Sequence, residues 1–337
     1  MQTKPLISVV VPVFNEELNI QPFYTEIVRS LETLSDRFAF EFVFTDNHST
    51  DATFPLLREL SQHDGRVRAY RFSKNFGYQR SIMTGYSMAR GDAAIQLDVD
   101  LQDPPELIPR FLEEWQAGAD VVYGVRVKRQ ESWLTNLQRA LFYRLIDHLS
   151  EEKLPVDAGD FRLISRRVIE VLKSFEDAQP YLRGTIATLG FKQVGIPYNR
   201  NARVRGESKF PFSKLVSLAL DGILNHSLVP LRISTYFGLA VSAITLISVF
   251  GYVAVKLLTH ADWPAGFATL AALILASTSV NAMLLGIIGE YLGRMYKQVK
   301  KQPLTIIEDV ICGDEQGREM AQAASLPGSD RRGVFLP

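Results

Sequence analysis

From Ile233 to Leu292 the chain is almost uncharged, whereas the residues before it alternate apolar and charged segments. Two apolar stretches, Ile233 to Leu258 and Gly266 to Leu292, each exceed the ~20 residues that cross a ~30 Å hydrocarbon layer. The connection Thr259-His260-Ala261-Asp262-Trp263-Pro264 carries helix breakers and a tryptophan suited to a membrane interface. These features predict a two-helix transmembrane hairpin over 232–298. A buried helical hairpin is the competing reading. Arg232 precedes the first stretch, and Arg294, Lys297, Lys300 and Lys301 follow the second. By the positive-inside rule both ends face the cytosol. The expected location is thus the cytoplasmic membrane, spanned more than once, with residues 1–210 on the cytosolic side.

Just before the hairpin, 211–231 includes Phe212-Ser-Lys-Leu-Val-Ser-Leu-Ala-Leu-Asp-Gly-Ile-Leu, apolar at helical spacing. It reads as an amphipathic juxtamembrane helix, or as an ordinary helix facing a core. The segment 299–337 is expected to be a cytosolic tail, largely disordered and rich beyond Asp314 in small and charged residues. Cys312 is the only cysteine, so no disulfide forms within the chain. The opening MQTKPLISVVVPVFNEE does not read as a signal peptide. Lys and Arg total 37, as do Asp and Glu, and this balance gives no sign of a nucleic-acid partner.

Within 1–210, short β-branched or apolar runs each end in polar residues. Ile7 to Val13 leads to Asn15-Glu16, Phe40 to Phe44 to Asp46, and Val67 to Phe72 to Ser73-Lys74. Ala93 to Leu97 leads to Asp98-Val-Asp100, and Val121 to Val125 to Arg126. Helix-like stretches separate them: Asn19 to Leu34, Ala52 to His63, Tyr78 to Arg90 and Pro105 to Trp115. The alternation predicts an α/β fold with a mainly parallel sheet covered on both faces. Ligands of such sheets bind beyond the carboxyl ends of the strands, where every polar cluster just named falls.

Asp98 and Asp100 stand two apart, which in an extended segment turns both carboxylates to one side. Such a pair repels itself unless a cation is near. Mg²⁺ held by carboxylates and substrate phosphates is such a cation. The run Leu101-Gln102-Asp103-Pro-Pro-Glu106 that follows strengthens this reading, while Glu106 itself reads as an acidic residue in the first turn of the next helix. Asp46 is a candidate for hydrogen bonding to a nucleobase or ribose, with a turn residue as the alternative. His48 reads as a turn histidine. The basic loop from Asn199 to Lys209, with Arg200, Arg203 and Arg205, suits phosphates or anionic headgroups.

Seven segments together resemble the polyprenyl-phosphate glycosyltransferases of glycosyltransferase family 2, the branch related to dolichyl-phosphate mannose synthase, in its bacterial type with two C-terminal transmembrane helices. They are Val11-Pro-Val-Phe-Asn-Glu-Glu17, Ser73-Lys-Asn-Phe-Gly77, Asp98-Val-Asp-Leu-Gln-Asp-Pro-Pro-Glu106, Tyr123-Gly-Val-Arg126, Gly159-Asp-Phe-Arg-Leu163, Arg203-Val-Arg-Gly-Glu-Ser-Lys209 and Gly286-Ile-Ile-Gly-Glu-Tyr-Leu-Gly293. The resemblance implies a GT-A fold and metal-dependent, inverting transfer of a hexose from a nucleotide-sugar to polyprenyl phosphate. UDP-glucose is the first candidate donor, and cell-envelope glycan modification the expected use. It also implies site residues. Pro12, Val13, Glu16, Asp46, Lys74 and Asp98 would hold the nucleotide-sugar. Asp98, Asp100 and Gln102 would surround Mg²⁺ or Mn²⁺. Arg126 and Arg139 would meet the acceptor phosphate, and Asp100, Asp160, Arg203 and Lys209 would complete the catalytic centre. A homo-oligomer, dimer or tetramer, is expected at the bilayer. The chain departs from the family at Asn47, where a second acid is common, and at His48, where glycine is common. Gln179-Pro-Tyr-Leu-Arg183-Gly184 does not fit the Q-x-x-R-W motif of processive synthases. The alternatives are transfer to another lipid such as diacylglycerol, or a non-catalytic subunit of a sugar-lipid flippase.

Overall fold

The structure is a computed structural model. It describes residues 4–126, 158–175, 177, 180–200, 266–300 and 303–312, with scattered positions from 231 to 258. These fall into two compact units, one drawn from 4–126, 158–200 and 303–312, the other from 231–300.

The first unit is built on an eight-stranded sheet. Its strands are β1 (Leu6–Val13), β2 (Ala39–Asp46), β3 (Val67–Phe72), β4 (Ala93–Gln96), β5 (Val121–Arg126), β6 (Ala158–Ser165), β7 (Gln193–Tyr198) and β8 (Ile307–Cys312), in the order β7-β5-β6-β4-β1-β2-β3-β8. The pairs β1–β2, β1–β4, β2–β3 and β5–β7 are parallel. The pairs β3–β8, β4–β6 and β5–β6 are antiparallel.

Connecting helices cover both faces. They are α1 (Glu17–Glu32), α2 (Thr53–His63), α3 (Tyr78–Met88), α4 (Ile108–Gln116), α5 (Arg166–Lys173) and α6 (Leu182–Thr188). Ile20, Phe23, Ile27 and Leu31 recur at three- and four-residue spacing and form the buried stripe of α1. In the strands, successive residues part to opposite faces. Val9 and Val11 join Phe23, Phe42, Phe44, Phe111 and Phe161 in one core. Val10 and Val43 join Ile82, Tyr86, Ile164 and Leu172 in the other. Burial on both faces explains why β1 and β2 read as continuous apolar runs.

The strands and helices expected before residue 126 are present. Three strands, β6, β7 and β8, were not expected. Residues 307–312 form an edge strand against β3, and the expected disordered stretch beyond Asp314 lies outside the described residues. Its pairing satisfies an otherwise open strand edge.

The second unit contains α7 (Phe267–Val299), 33 residues long, inside the second expected span. Leu270, Leu273, Ile274, Met283, Leu285, Ile288 and Leu292 are exposed on it. Among the described residues, no helix is long and apolar enough to be assigned as a membrane span. The expected two-span hairpin is therefore not established. Most of the first stretch, the connection between the two, and the amphipathic segment 211–231 lie outside the described residues.

Candidate active site

The chain runs outward from β1 through β2 to β3, then crosses back to place β4 on the other side of β1. The strand order therefore switches between β1 and β4. At such a point the connections leave in opposite directions and open a crevice above the carboxyl ends of the strands. Pro12 and Val13 end β1, Asp46 ends β2, and Asp98 and Asp100 follow β4. Topology alone thus gathers most of the residues expected to hold a donor.

Asp46 is fully buried. Its Oδ1 accepts hydrogen bonds from the Ser49 amide at 3.0 Å and from the Ser49 hydroxyl. Its Oδ2 is buried with no hydrogen-bond partner. Burial raises its pKa, only partly opposed by Ser49 and Arg71. A buried carboxylate oxygen without a donor is costly unless a ligand supplies one. Glu16 caps the start of α1, its backbone amide donating to the Thr53 hydroxyl at 2.8 Å and its carboxylate accepting from Asn19 at 2.6 Å. Lys74 is exposed on the loop after β3, with its ammonium 5.1 Å from the Phe76 ring.

Strand β4 stops at Gln96, so Asp98 and Asp100 lie past its end, with Val99 and Asp100 already in a turn and not in the extended segment expected for the pair. Leu101 adopts φ +54°, and the Gln102 amide closes onto Asp100 Oδ1 at 3.2 Å. Asp98 Oδ1 accepts from the Tyr78 hydroxyl at 2.5 Å and the Gln96 amide at 3.0 Å, both neutral donors. Burial, and then the negative charges of Asp103, Asp160 and Asp100, push the Asp98 carboxyl up to about 7, against the Tyr78 hydrogen bond. Asp103, Asp160 and Asp100 are thus all near enough for their charges to act on Asp98.

Two of the four are answered by arginines. Asp160, on β6, accepts from Arg183 Nε at 2.8 Å and from its Nη2. Asp103 accepts from the Tyr198 hydroxyl and has Arg200 Nε at 3.4 Å and Arg126 Nη2 at 3.9 Å. Arg126 in turn donates to the Tyr198 hydroxyl at 3.3 Å. Gly159 leaves room for that guanidinium, since a Cβ there would sit 3.1 Å from Arg126 Nη2.

Among the described residues, no three His, Cys, Asp or Glu side chains form a metal-binding group. Asp98 and Asp100 nevertheless suit a cation that takes its remaining ligands from a diphosphate and water. The chemistry of the donor set, two carboxylates two residues apart just past the end of β4, is what favours one. Of the other expected site residues, Arg139, Arg203 and Lys209 lie outside the described residues. Sequence reasoning missed Tyr78, Arg183 and Tyr198 as site residues, and gave Asp103 no role of its own beyond its place in the motif after Asp100. Arg183 had a signal, the Gln179-Pro-Tyr-Leu-Arg183 run that does not fit the Q-x-x-R-W motif. Tyr198 had only its adjacency to the basic loop.

Sheet and crevice together are GT-A-like, an α/β layout with the candidate site at the strand ends. The comparisons with known proteins agree. The family described as glycosyl transferase family 2 matches residues 8–173. The uncharacterized glycosyltransferase YkcC of Bacillus subtilis is 38% identical, over 89% of this chain and 93% of its own. The prophage bactoprenol glucosyl transferase homolog of Escherichia coli is 39% identical, over 90% of this chain and 99% of its own. The bactoprenol glucosyl transferase of Shigella phage SfII is 39% identical, over 90% and 97%. The chain belongs to glycosyl transferase family 2.

Proposed function

We propose that the protein transfers glucose from a nucleotide-glucose, UDP-glucose first, to a polyprenyl phosphate at a membrane surface. The observation that carries the chemistry is the carboxylate crowd centred on Asp98, beside arginine-held Asp103 and Asp160 at the strand switch point. Such a place accepts a cation-bound diphosphate and, next to it, a second phosphate. The choice of glucose and of a polyprenyl carrier rests on the bactoprenol glucosyl transferases, which the chain matches over nearly their whole length.

In this reading the buried Oδ2 of Asp46 takes a hydrogen bond from the nucleoside, with Pro12, Val13 and Glu16 along the same wall. Lys74 meets the donor from the loop after β3. Asp98 and Asp100, with Gln102, would hold Mg²⁺ or Mn²⁺, which when bound offsets the charge of the departing diphosphate. An oxygen of the lipid phosphate attacks the anomeric carbon, and the bond from that carbon to the diphosphate breaks. Inversion follows from a single displacement. Arg126 meets the incoming phosphate, and Arg139, Arg203 and Lys209 would add positive charge.

No enzymic base is needed. A phosphate monoester with a second pKa of ~6 is already mostly a dianion near pH 7. Asp160 is engaged with Arg183 and serves to orient it.

The exposed apolar residues of α7 support attachment to a bilayer, in keeping with Ile233 to Leu292 as membrane-embedded chain. The Arg and Lys flanking that region support a cytosolic site in the cytoplasmic membrane. A dimer or tetramer through the apolar helices is compatible with this placement. The test is a donor screen on the purified full chain in detergent, with polyprenyl phosphate and diacylglycerol as competing acceptors. The proposal expects sugar on the polyprenyl phosphate. Sugar on diacylglycerol alone would replace it with the second reading.

A further inference from the structure

Strand β8 follows the apolar helix in the chain yet pairs with β3, at the sheet edge next to the strand pair β2–β3 whose β2 ends in Asp46. The β3–β8 register shifts between Arg71 and Phe72, leaving Glu308 opposite no partner. A bulge of this kind re-aims a side chain and is frequent next to active sites. Here it brings Glu308 Oε2 to 3.8 Å from Arg71 Nε and 3.5 Å from His48 Nδ1.

Arg71 is the hub of this corner. Its Nη2 donates to the Ser49 carbonyl at 3.1 Å, and its guanidinium lies 4.9 Å from the Phe54 ring centre. Its Nε stands 4.0 Å from Asp46 Oδ2, the buried oxygen that lacks a hydrogen bond. His48 holds φ +65° and its Nδ1 lies 3.0 Å from the Phe72 carbonyl. Two carboxylates thus compete for one guanidinium. Were Glu308 removed, Asp46 would be the carboxylate left to draw Arg71 in.

We propose that Glu308 is a positioning residue of the nucleotide-binding site. By sharing Arg71 with Asp46, and by bracing His48, it keeps Asp46 Oδ2 open to accept a hydrogen bond from a nucleobase carrying a ring N–H. The ligand class is a nucleoside diphosphate whose base offers such a donor, as uracil does. The C-terminal strand is then part of the donor site and not merely a cover for the sheet edge. The inference rests on the assignment of this corner to the nucleoside of the donor.

The test is calorimetric binding of UDP, with Mg²⁺ present, to the purified full chain and its variants, alongside steady-state kinetics. Glu308→Gln should weaken UDP binding about tenfold, the scale of one hydrogen bond to a charged group. It should raise donor KM in step, while kcat and acceptor KM stay within about twofold of wild type. Asp309→Ala removes a neighbouring ion pair, to Arg58, on the same strand. It should leave UDP binding unchanged. Unaltered UDP affinity in folded Glu308→Gln would overturn the proposal. So would an equal loss in Asp309→Ala, which would mark a general effect of the edge strand. Failure of the wild-type chain to bind UDP, GDP or any other nucleoside diphosphate with a ring N–H would also overturn it. Tight UDP binding that depends on Glu308, without sugar transfer to any lipid, would leave this inference standing and refute the proposed function instead.

Discussion

Arg183 holds Asp160 at two points, Nε to Oδ1 at 2.8 Å and Nη2 to Oδ2. Burial alone would raise the Asp160 carboxyl, but the charge and hydrogen bonds of Arg183 hold it below its usual value. A carboxylate so engaged is a poor proton acceptor near neutral pH. Asp160→Asn should therefore lower kcat on the order of 100-fold through misplaced Arg183. It should not move the acid limb of the kcat/KM profile. That limb should instead follow the second pKa of the acceptor when a phosphonate analogue replaces the phosphate. A limb that is fixed across acceptors and vanishes in Asp160→Asn would make Asp160 the base.

Asp98 and Asp100 repel each other just past the end of β4. Asp100→Asn should cost at least ~100-fold in kcat, the scale of losing one electrostatic stabiliser of developing charge. Excess chelator should abolish turnover, and added Mg²⁺ or Mn²⁺ should restore it. Full activity in chelator would remove the metal from the account.

Gly124 lies on β5 against Tyr198, the residue that joins Asp103 to Arg126. A Cβ at 124 would sit 2.6 Å from Tyr198 Cε1 and 3.3 Å from Phe161 Cδ1. Gly124→Ala should destabilise the fold by about 1–3 kcal/mol, the usual penalty of overpacking. It should also lower activity beyond that loss, because the tyrosine must move. Tyr198→Phe, which keeps the ring and drops the hydroxyl, should retain the stability and lose part of the activity. Thermal unfolding and initial rates measured in parallel check both.

Away from the crevice, Asp64 pairs with Arg66 and accepts from Tyr24. Burial would raise its carboxyl, but Arg66 and Tyr24 together bring it down to about 2 from 3.8. The native state therefore favours the ionised form. This contribution to stability is fully present above pH 3.8 and fades as pH falls toward about 2. Asp64→Asn should lower Tm at pH 7, and the gap to wild type should close as the acid range is entered. A gap that persists unchanged at pH 2 would contradict the assignment.

The sequence pattern was legible where structure is local. Apolar runs of β1 to β5 and the amphipathic spacing of α1 carry their own signals, and the polar residues after each run mark the crevice. What was not legible depends on partners distant in the chain. Strand β6 lies antiparallel between β4 and β5, and nothing near Gly159 announces that direction. Strand β8 stands beyond the long apolar region, and its place is set by the open edge of β3. Arg183 and Tyr198 became site residues only when folding set them against Asp160 and Asp103. The turn after Asp98 was hidden for a different reason. Alternation suggested an extended strand, but the left-handed Leu101 bends the chain just after the pair.

The central claim is that a lipid phosphate displaces a nucleoside diphosphate from the anomeric carbon. The most direct measurement follows the nucleotide released when the purified chain is incubated with labelled UDP-glucose, Mg²⁺ and polyprenyl phosphate. The account predicts UDP, formed one for one with a lipid that carries glucose on a single phosphate. Release of UMP with a diphosphate-linked lipid, or UDP formed with no sugar on the lipid, would contradict it.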